Sequence, residues 1–370
     1  MGALLNLERK HEQLEARLRD CRLVIGVGGI GTGICFELQD NHDLGRNESR
    51  AGYLVDARDY CKLHIIMHYL ATLLRSELPE RAVHLVPVGK VGSDAAGTQL
   101  LFEMETNGLD VEHIETVADA PTLFSVCFQY PDGSGGNITA SNSAASKVTS
   151  EDVDRTRRLF EESRSRALAL AVPEVPINVR EHLIRVATEY GAFRVGAFTA
   201  SELHVLQNSD WLRLFDLIAL NEEEASALAG DEFNPLAPDQ FLERCSSTFT
   251  CSEKQTLIVI TAGKHGAFGF DGECWTHSNA VSANVLSTAG AGDTLLAGTL
   301  AALMMGAPFT NEKRFKEVNS ALDFGCLFAS YSTTSKHSIH PNAGLDDVHA
   351  FARASGLALD RLRNFGAAVN

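Results

Sequence analysis

The stretch Ser287-Thr-Ala-Gly290-Ala-Gly-Asp293-Thr294 runs directly into the apolar segment Leu295-Leu-Ala-Gly-Thr-Leu-Ala-Ala-Leu-Met304. The apolar positions 295, 296, 300, 303 and 304 fall on one face of a helix, so the pattern predicts a helix over Thr294–Met305 that follows a glycine turn. The first turn of a helix has backbone N–H groups without acceptors, and small residues there leave room for an anion. We therefore expect that a phosphate can lie over Ala291, Gly292 and Asp293.

Asp293 adds chemistry to this turn. A phosphate held over residues 291–293 places the Asp293 carboxylate beside the transferring group, where it can accept the proton of an attacking hydroxyl. Phosphoryl transfer requires a positioned phosphate together with such a base. The structural alternative is that the glycines only form a tight turn and that Asp293 only caps the helix.

The composition restricts the class of partner. The chain has 370 residues, and 32 Lys and Arg against 48 Asp and Glu give a net charge of −16. This negative charge repels phosphate backbones and anionic lipid headgroups, so we expect no nucleic acid and no membrane surface as a partner. The longest apolar stretch, Leu295–Phe309, is interrupted by glycines and is shorter than the roughly 20 residues that cross a bilayer. We expect a cytoplasmic protein.

Apolar strand-like segments alternate with helical patterns along most of the chain. This alternation predicts an α/β fold, a doubly wound parallel sheet with helices on both faces. The predicted strands are Arg22–Val27, His84–Val88, Leu168–Val172, Phe193–Ala197, Leu214–Leu220 and Leu257–Thr261, and the predicted helices include Lys62–Arg75, Ala95–Asn107 and Val179–Tyr190. Short strand-like runs without a helix between them, in about 32–56 and 121–138, predict a small additional β-sheet. Leucines at 4, 5, 7, 14 and 18 predict an amphipathic N-terminal helix over residues 1–20.

Two further motifs follow predicted strands. Asn221 and Glu224 have the spacing of a helix capping box. At the carboxyl end of a parallel strand, where α/β sheets bind ligands, the same oxygen atoms can also hold Mg²⁺ and its waters. Thr261, Gly263 and Gly266 follow the next strand, where turn formation explains the glycines and the position also suits contact with a nucleotide.

In this order the motifs resemble those of the ribokinase-like, PfkB carbohydrate kinase family. The resemblance runs from about Arg22 to about Phe351, and it rests on Val88–Gly97, Asn221-x-x-Glu224, Thr261–Gly266 and Gly290–Asp293. It implies a ribokinase-like kinase domain over residues 21–370, in which the small β-sheet forms a lid. It also implies ATP- and Mg²⁺-dependent phosphorylation of a hydroxyl group on a sugar or a related small molecule.

The resemblance further implies roles for individual residues. Asp293 would be the general base. Glu224 would act near Mg²⁺ through a water molecule. The implied anion hole is Gly290, Ala291 and Gly292, and the implied nucleotide-binding residues are Asn221, Glu224, Thr261, Gly263 and Gly266. We also expect that the lid can form a homodimer.

The chain departs from the family pattern mainly in the region that the resemblance implies for binding of the phosphoryl acceptor. Ser287 stands where the family usually has Asp, in a neighbourhood that often holds an activating monovalent cation, so dependence on potassium stays open. The family's Gly-Gly and Asn signature is replaced at residues 57–64, where Arg58, Asp59 and Lys62 become the candidate substrate-binding residues. Two cations and a carboxylate suit an acceptor with its own anionic group. The alternative is that Arg58 and Asp59 pair with each other at a solvated helix start.

Two other functions compete with the kinase interpretation. Gly26-Val-Gly28-Gly-Ile-Gly31 matches the GxGxxG fingerprint of an NAD-dependent dehydrogenase, with Asp56 at about the position of a ribose-binding acid. That fingerprint requires a full helix, yet the apolar pattern lasts only from Ile34 to Leu38, so we predict a bend from the first strand into the lid. The second alternative is a catalytically silent relative that only binds ligands, and the retained Asp293 argues against it.

Overall fold

The computed structural model of the chain describes residues 15–77, 82–132, 135–206, 209–234, 237–248, 256–311 and 316–359. It contains two β-sheets, and helices surround the larger one. The strands are β1 Leu23–Val27, β2 Gly31–Leu38, β3 Gly52–Tyr60, β4 His84–Gly92, β5 Ile114–Val117, β6 Leu123–Gln129, β7 Gly135–Thr139, β8 Ala167–Ala171, β9 Phe193–Ala197, β10 Leu217–Asn221, β11 Leu257–Thr261, β12 Ala267–Phe270 and β13 Trp275–Ser278. The helices are α1 Lys62–Glu77, α2 Ala95–Thr106, α3 Ser150–Asp154, α4 Arg157–Ser163, α5 Ile177–Glu189, α6 Ala200–Leu206, α7 Glu222–Ala229, α8 Asp239–Ser247, α9 Ala291–Met304, α10 Ala321–Ser332 and α11 Leu345–Ala354.

The larger sheet has nine strands in the order β13-β12-β11-β10-β9-β8-β1-β4-β5. Its pairs are parallel except those that β12 makes with β11 and β13. Helices cover both faces of the sheet, so successive residues of a strand pack in two different hydrophobic cores. Val24 packs with α1 and α9, whereas Ile25 packs with α5 and α7. The predicted doubly wound α/β fold is confirmed.

The smaller sheet, which we call the lid, has the strand order β3-β2-β6-β7. It follows β1 directly, because only residues 28–30 separate β1 from β2 and no helix lies between them. Gly31 is required there, since a Cβ atom would lie 2.4 Å from the Leu123 carbonyl oxygen. The predicted bend into the lid is therefore confirmed, and the dinucleotide-binding alternative for Gly26–Gly31 is wrong.

Several boundaries differ from the sequence-based prediction. Strand β3 continues past Asp56 to Tyr60, so Arg58 and Asp59 lie on a strand and not at a helix start. Strand β10 begins only at Leu217, because Asp210–Leu214 forms a 3₁₀-helix. The predicted N-terminal helix lies mainly outside the described residues, although residues 15–19 are helical and Leu18 is buried. In the described part of the chain, no helix combines the length and apolar character that crossing a bilayer requires.

Candidate active site

Two helix N-termini meet beside the lid. Helices α1 and α9 pack against each other, and Lys62 is the first residue of α1 while Asp293 lies in the first turn of α9. The Lys62 Nζ atom is 3.3 Å from the Asp293 Oδ1 atom. Helix packing thus brings together two predicted site residues that are 231 positions apart in the sequence.

The turn before α9 has room for an anion. Gly290 has a left-handed backbone with φ of 74°, and a Cβ atom there would lie 2.8 Å from the Ser338 carbonyl oxygen, so this position requires glycine. A Cβ atom on Gly292 would instead approach only Thr261 Oγ1, at 4.0 Å. The amide groups of Gly292 and Asp293 lie in the first turn, where a helix offers no acceptors. This open space and these donors suit the predicted anion hole, whereas the Ala291 amide already donates to the Thr288 carbonyl.

A cavity of about 780 Å³ begins at this turn. Strands β10 and β11 end side by side there, with Asn221 opposite Thr261 in the register. Among the residues that line the cavity are the predicted Asn221, Thr261, Gly263, Gly266, Ala291 and Gly292. Ligand sites of open α/β sheets lie at this carboxyl edge, and the cavity has the size of a small-molecule site.

Asn221 and Glu224 form a capping box in the structure. The Asn221 amide donates to Glu224 Oε2, and the Glu224 amide donates to Asn221 Oδ1, both at 2.8 Å. The predicted capping box is therefore confirmed. It uses only one of the two carboxylate oxygens of Glu224. Burial raises the pKa of Glu224 to about 7, and Lys62 opposes part of this shift. A buried carboxylate at this edge suits the neighbourhood of a cation.

The sequence analysis missed the apolar wall of the cavity. Part of it is the loop of Val281 and Val285, and part is one face of α10 with Cys326, Ala329 and Ser330. A search for small residues at helical spacing would have found the α10 face. The loop has no periodic pattern and could not be predicted.

Asp59 lies on β3 of the lid. Its Oδ2 atom accepts hydrogen bonds from Ser125 Oγ at 3.4 Å and Cys127 Sγ at 3.2 Å, both on β6. Arg58 instead forms an ion pair with Glu103 Oε1 at 2.7 Å, and its side chain is 66% exposed. Of the three predicted substrate-binding residues, Lys62 thus contacts Asp293, Asp59 is hydrogen-bonded within the lid, and Arg58 is paired with α2.

Glu174 is a site residue that the sequence analysis missed. It follows β8 at the carboxyl edge, beside the loop after β1, and it has a left-handed backbone with φ of 77°. Its Oε2 atom is buried without a hydrogen-bond partner in the described part of the chain. The carboxylate covers Gly29, where a Cβ atom would lie 2.5 Å from Oε2. A buried oxygen without a partner on a residue with a left-handed backbone makes Glu174 a candidate for contact with a ligand.

Lys62 is surrounded by these acidic groups. The pKa of Lys62 is raised, chiefly by Asp293 and further by Glu224 and Glu174. Burial raises the pKa of Glu174 to about 7, while the Cys61 thiol and Lys62 oppose this shift. Lys62 therefore contacts Asp293 and lies within the electrostatic influence of Glu224 and Glu174.

The chain is similar to known proteins in sequence and in fold. A model of the pfkB family carbohydrate kinases matches residues 66–343. A ribokinase of Haemophilus influenzae is 27% identical over 246 residues, which is 66% of this chain and 74% of that protein. The structure of ribokinase from Giardia lamblia aligns with a TM-score of 0.72 and 18% identity over 90% of this chain and 99% of that one.

A ribokinase of Arabidopsis thaliana, solved in complex with ribose and ATP, aligns with a TM-score of 0.65 and 19% identity, again over 90% of this chain and 99% of that one. These structures share the fold of this chain. The family match includes Asn221, Thr261 and Asp293 but begins just after Lys62. The departure at residues 57–64 therefore lies outside the matched segment.

Proposed function

Because the chain belongs to the PfkB family of carbohydrate kinases, we propose that it transfers the γ-phosphoryl group of ATP to a hydroxyl of a sugar or a related small molecule, with Asp293 as general base. The observation that carries this proposal is the position of Asp293. Ala291 and Gly292, which directly precede it, line the cavity together with Asn221 and Thr261. The Asp293 Oδ1 atom is 3.3 Å from Lys62 Nζ.

The reaction follows from this arrangement. The nucleotide base occupies the apolar part of the cavity, and the γ-phosphate lies at the turn that precedes α9. Asp59 and Glu174 accept hydrogen bonds from acceptor hydroxyls and orient one of them toward Asp293. As the acceptor oxygen bonds to phosphorus and the bond to the bridging β–γ oxygen breaks, Asp293 takes the hydroxyl proton and ADP leaves.

Mg²⁺ would be held in this site mainly by the phosphates of the nucleotide. In the described part of the chain, no three His, Cys, Asp or Glu residues lie close enough together to hold a metal ion. The buried Glu224, with one oxygen outside the capping box, can contact a hydrated ion through water. Bound Mg²⁺ would neutralise phosphate charge. The Ala289 amide donates a hydrogen bond to Ser287 Oγ at 3.2 Å.

Nucleotide binding can be measured without knowledge of the acceptor. We expect MgATP at about 100 times its dissociation constant to stabilise the protein by roughly 2.7 kcal/mol, while NAD⁺ leaves the melting temperature unchanged. Differential scanning fluorimetry with both ligands is the measurement. A shift with NAD⁺ and none with MgATP would overturn the assignment.

The acceptor itself requires a screen of ADP release over sugars, sugar phosphates and nucleosides. ADP production that depends on one of these compounds supports the proposal. ATP binding without turnover on any acceptor would instead favour the catalytically silent alternative.

One face of the lid is apolar, and we propose that a cytoplasmic homodimer forms through it. In the strand register Phe36 pairs with Leu54 and Phe128, and Val126 pairs with Ile138. These residues share one face, and Leu54 and Ile138 are 62% and 68% exposed. Burial of this face against a second copy removes apolar surface from water.

We expect the double substitution Leu54→Asp and Ile138→Asp to convert the homodimer into a monomer, because each carboxylate would be buried in the interface. Light scattering coupled to size-exclusion chromatography measures the mass. Val205→Asp, at an 82% exposed position on α6, is the matched control. A wild-type monomer, or an unchanged mass in the double variant, would contradict the proposed interface.

A further inference from the structure

Lys62 occupies an unfavourable position for a cation. It is the first residue of α1, and no acidic residue lies in the first turn of that helix. The positive end of the helix dipole repels an ammonium group at this point. The side chain is therefore stabilised from outside its own helix, by the carboxylates of the site.

The ammonium group lies where the two halves of the site meet. Its hydrogen-bond partner in the described part of the chain is Asp293, at 3.3 Å. The other carboxylates that attract it are Glu224, on the nucleotide side, and Glu174, on the acceptor side. In the arrangement of the proposed function, the phosphoryl group passes beside Lys62 on its way from the nucleotide to the acceptor.

We propose that Lys62 is a second catalytic residue, whose ammonium group contacts the phosphoryl group during its transfer. This inference rests on the proposed function. An ammonium group has three N–H donors, so it can keep its hydrogen bond to Asp293 and donate to phosphoryl oxygens at the same time.

This contact would stabilise the transition state because most charged groups of the site are negative. Asp293, Glu174, Glu224 and Asp59 are acidic groups in or beside the path of a polyanionic nucleotide. In the transition state negative charge spreads over the phosphoryl oxygens, and a fixed cation stabilises it. Lys62 stays protonated throughout: the acceptor proton goes to Asp293, and the electron pair of the broken P–O bond stays with ADP.

A different role for Lys62 is binding of an anionic acceptor, as the sequence analysis predicts. The two roles differ in a reaction that needs no acceptor, the slow transfer of the phosphoryl group to water. A residue that contacts the phosphoryl group affects this hydrolysis, whereas a residue that contacts only the acceptor does not.

The experiment measures ADP release at saturating MgATP without an acceptor. We expect Lys62→Met to lower the rate at least about tenfold, as loss of a charge-assisted contact predicts, and Lys62→Arg to restore part of it. Lys147→Met removes a lysine that pairs with Asp119 elsewhere, and it should match the wild type. With an acceptor from the screen, Lys62→Met should lower kcat more than it raises the acceptor KM.

Thermal unfolding of each variant with and without MgATP establishes that it is folded and binds nucleotide, and Lys62→Gln replaces Lys62→Met if the latter unfolds. Wild-type hydrolysis in the folded Lys62 variant, or a change confined to the acceptor KM, would overturn the inference. If the wild type itself releases no ADP with or without acceptor, the proposed function fails. The two failures are thus distinguishable.

Discussion

Asp293→Asn is expected to lower phosphoryl transfer by about 10²- to 10⁴-fold, the usual effect of removing a general base. The amide keeps the shape of the carboxylate and can still accept the hydrogen bond that Lys62 donates at 3.3 Å, but it cannot take a proton. The anion-binding amides of the α9 first turn are unchanged. We therefore expect the fold and the affinity for MgATP to persist while turnover is lost.

The measurement is kcat for ADP formation with an acceptor, beside the MgATP-induced shift in melting temperature. Asp346→Asn is the matched control, because Asp346 also lies in the first turn of a helix, α11, and is exposed. Near wild-type turnover in Asp293→Asn would show that another group takes the proton.

Glu174→Gln is expected to have opposite effects on function and stability. Under the proposed function its carboxylate accepts a hydrogen bond from a substrate hydroxyl, and loss of a charge-assisted hydrogen bond of about 1.5 to 3 kcal/mol corresponds to a loss of about 10- to 100-fold in kcat/KM for the acceptor. The affinity for MgATP should not change. Glu162→Gln, on the exposed surface of α4, is the control.

The effect on stability depends on pH. Burial raises the pKa of Glu174 to about 7, from the 4.5 of an ordinary glutamate. Between these values the folded protein binds more protons than the unfolded chain, so the free energy of unfolding falls as pH rises. Glu174→Gln has no such charge and should be more stable above pH 7, by on the order of 1 to 3 kcal/mol. Urea unfolding at pH 5 and pH 8 tests this, and an equal loss of stability with pH in both proteins would contradict it.

The phosphate side of the site could be predicted because its signals are local. The glycine turn before α9 and the capping box of Asn221 and Glu224 are short patterns with a defined backbone geometry. The alternation of strands and helices likewise predicts the sheet, because each strand buries both faces.

The acceptor side could not be predicted in the same way. Glu174 has no motif, and its importance comes from a backbone with φ of 77° and from a buried oxygen that only the folded structure reveals. The sequence predicts Arg58 beside Asp59 and Lys62, because it indicates neither that β3 extends to Tyr60 nor that Glu103 of α2 lies within reach. Whether such residues reach the site depends on the direction of side chains on a strand and on contacts between elements that are distant in the sequence.

Strand β3 and the start of α1 form one uninterrupted segment, Gly52–Lys62, that carries both Asp59 and Lys62. The nucleotide half, in contrast, is encoded by residues 217–333, far along the chain. Under the proposed function, an exchange of residues 52–62 would replace Asp59 and Lys62 together and leave the residues that line the cavity unchanged. Glu174 follows β8, so the proposed acceptor contacts come from two segments of the chain, and an exchange of residues 52–62 alone would alter only one of them.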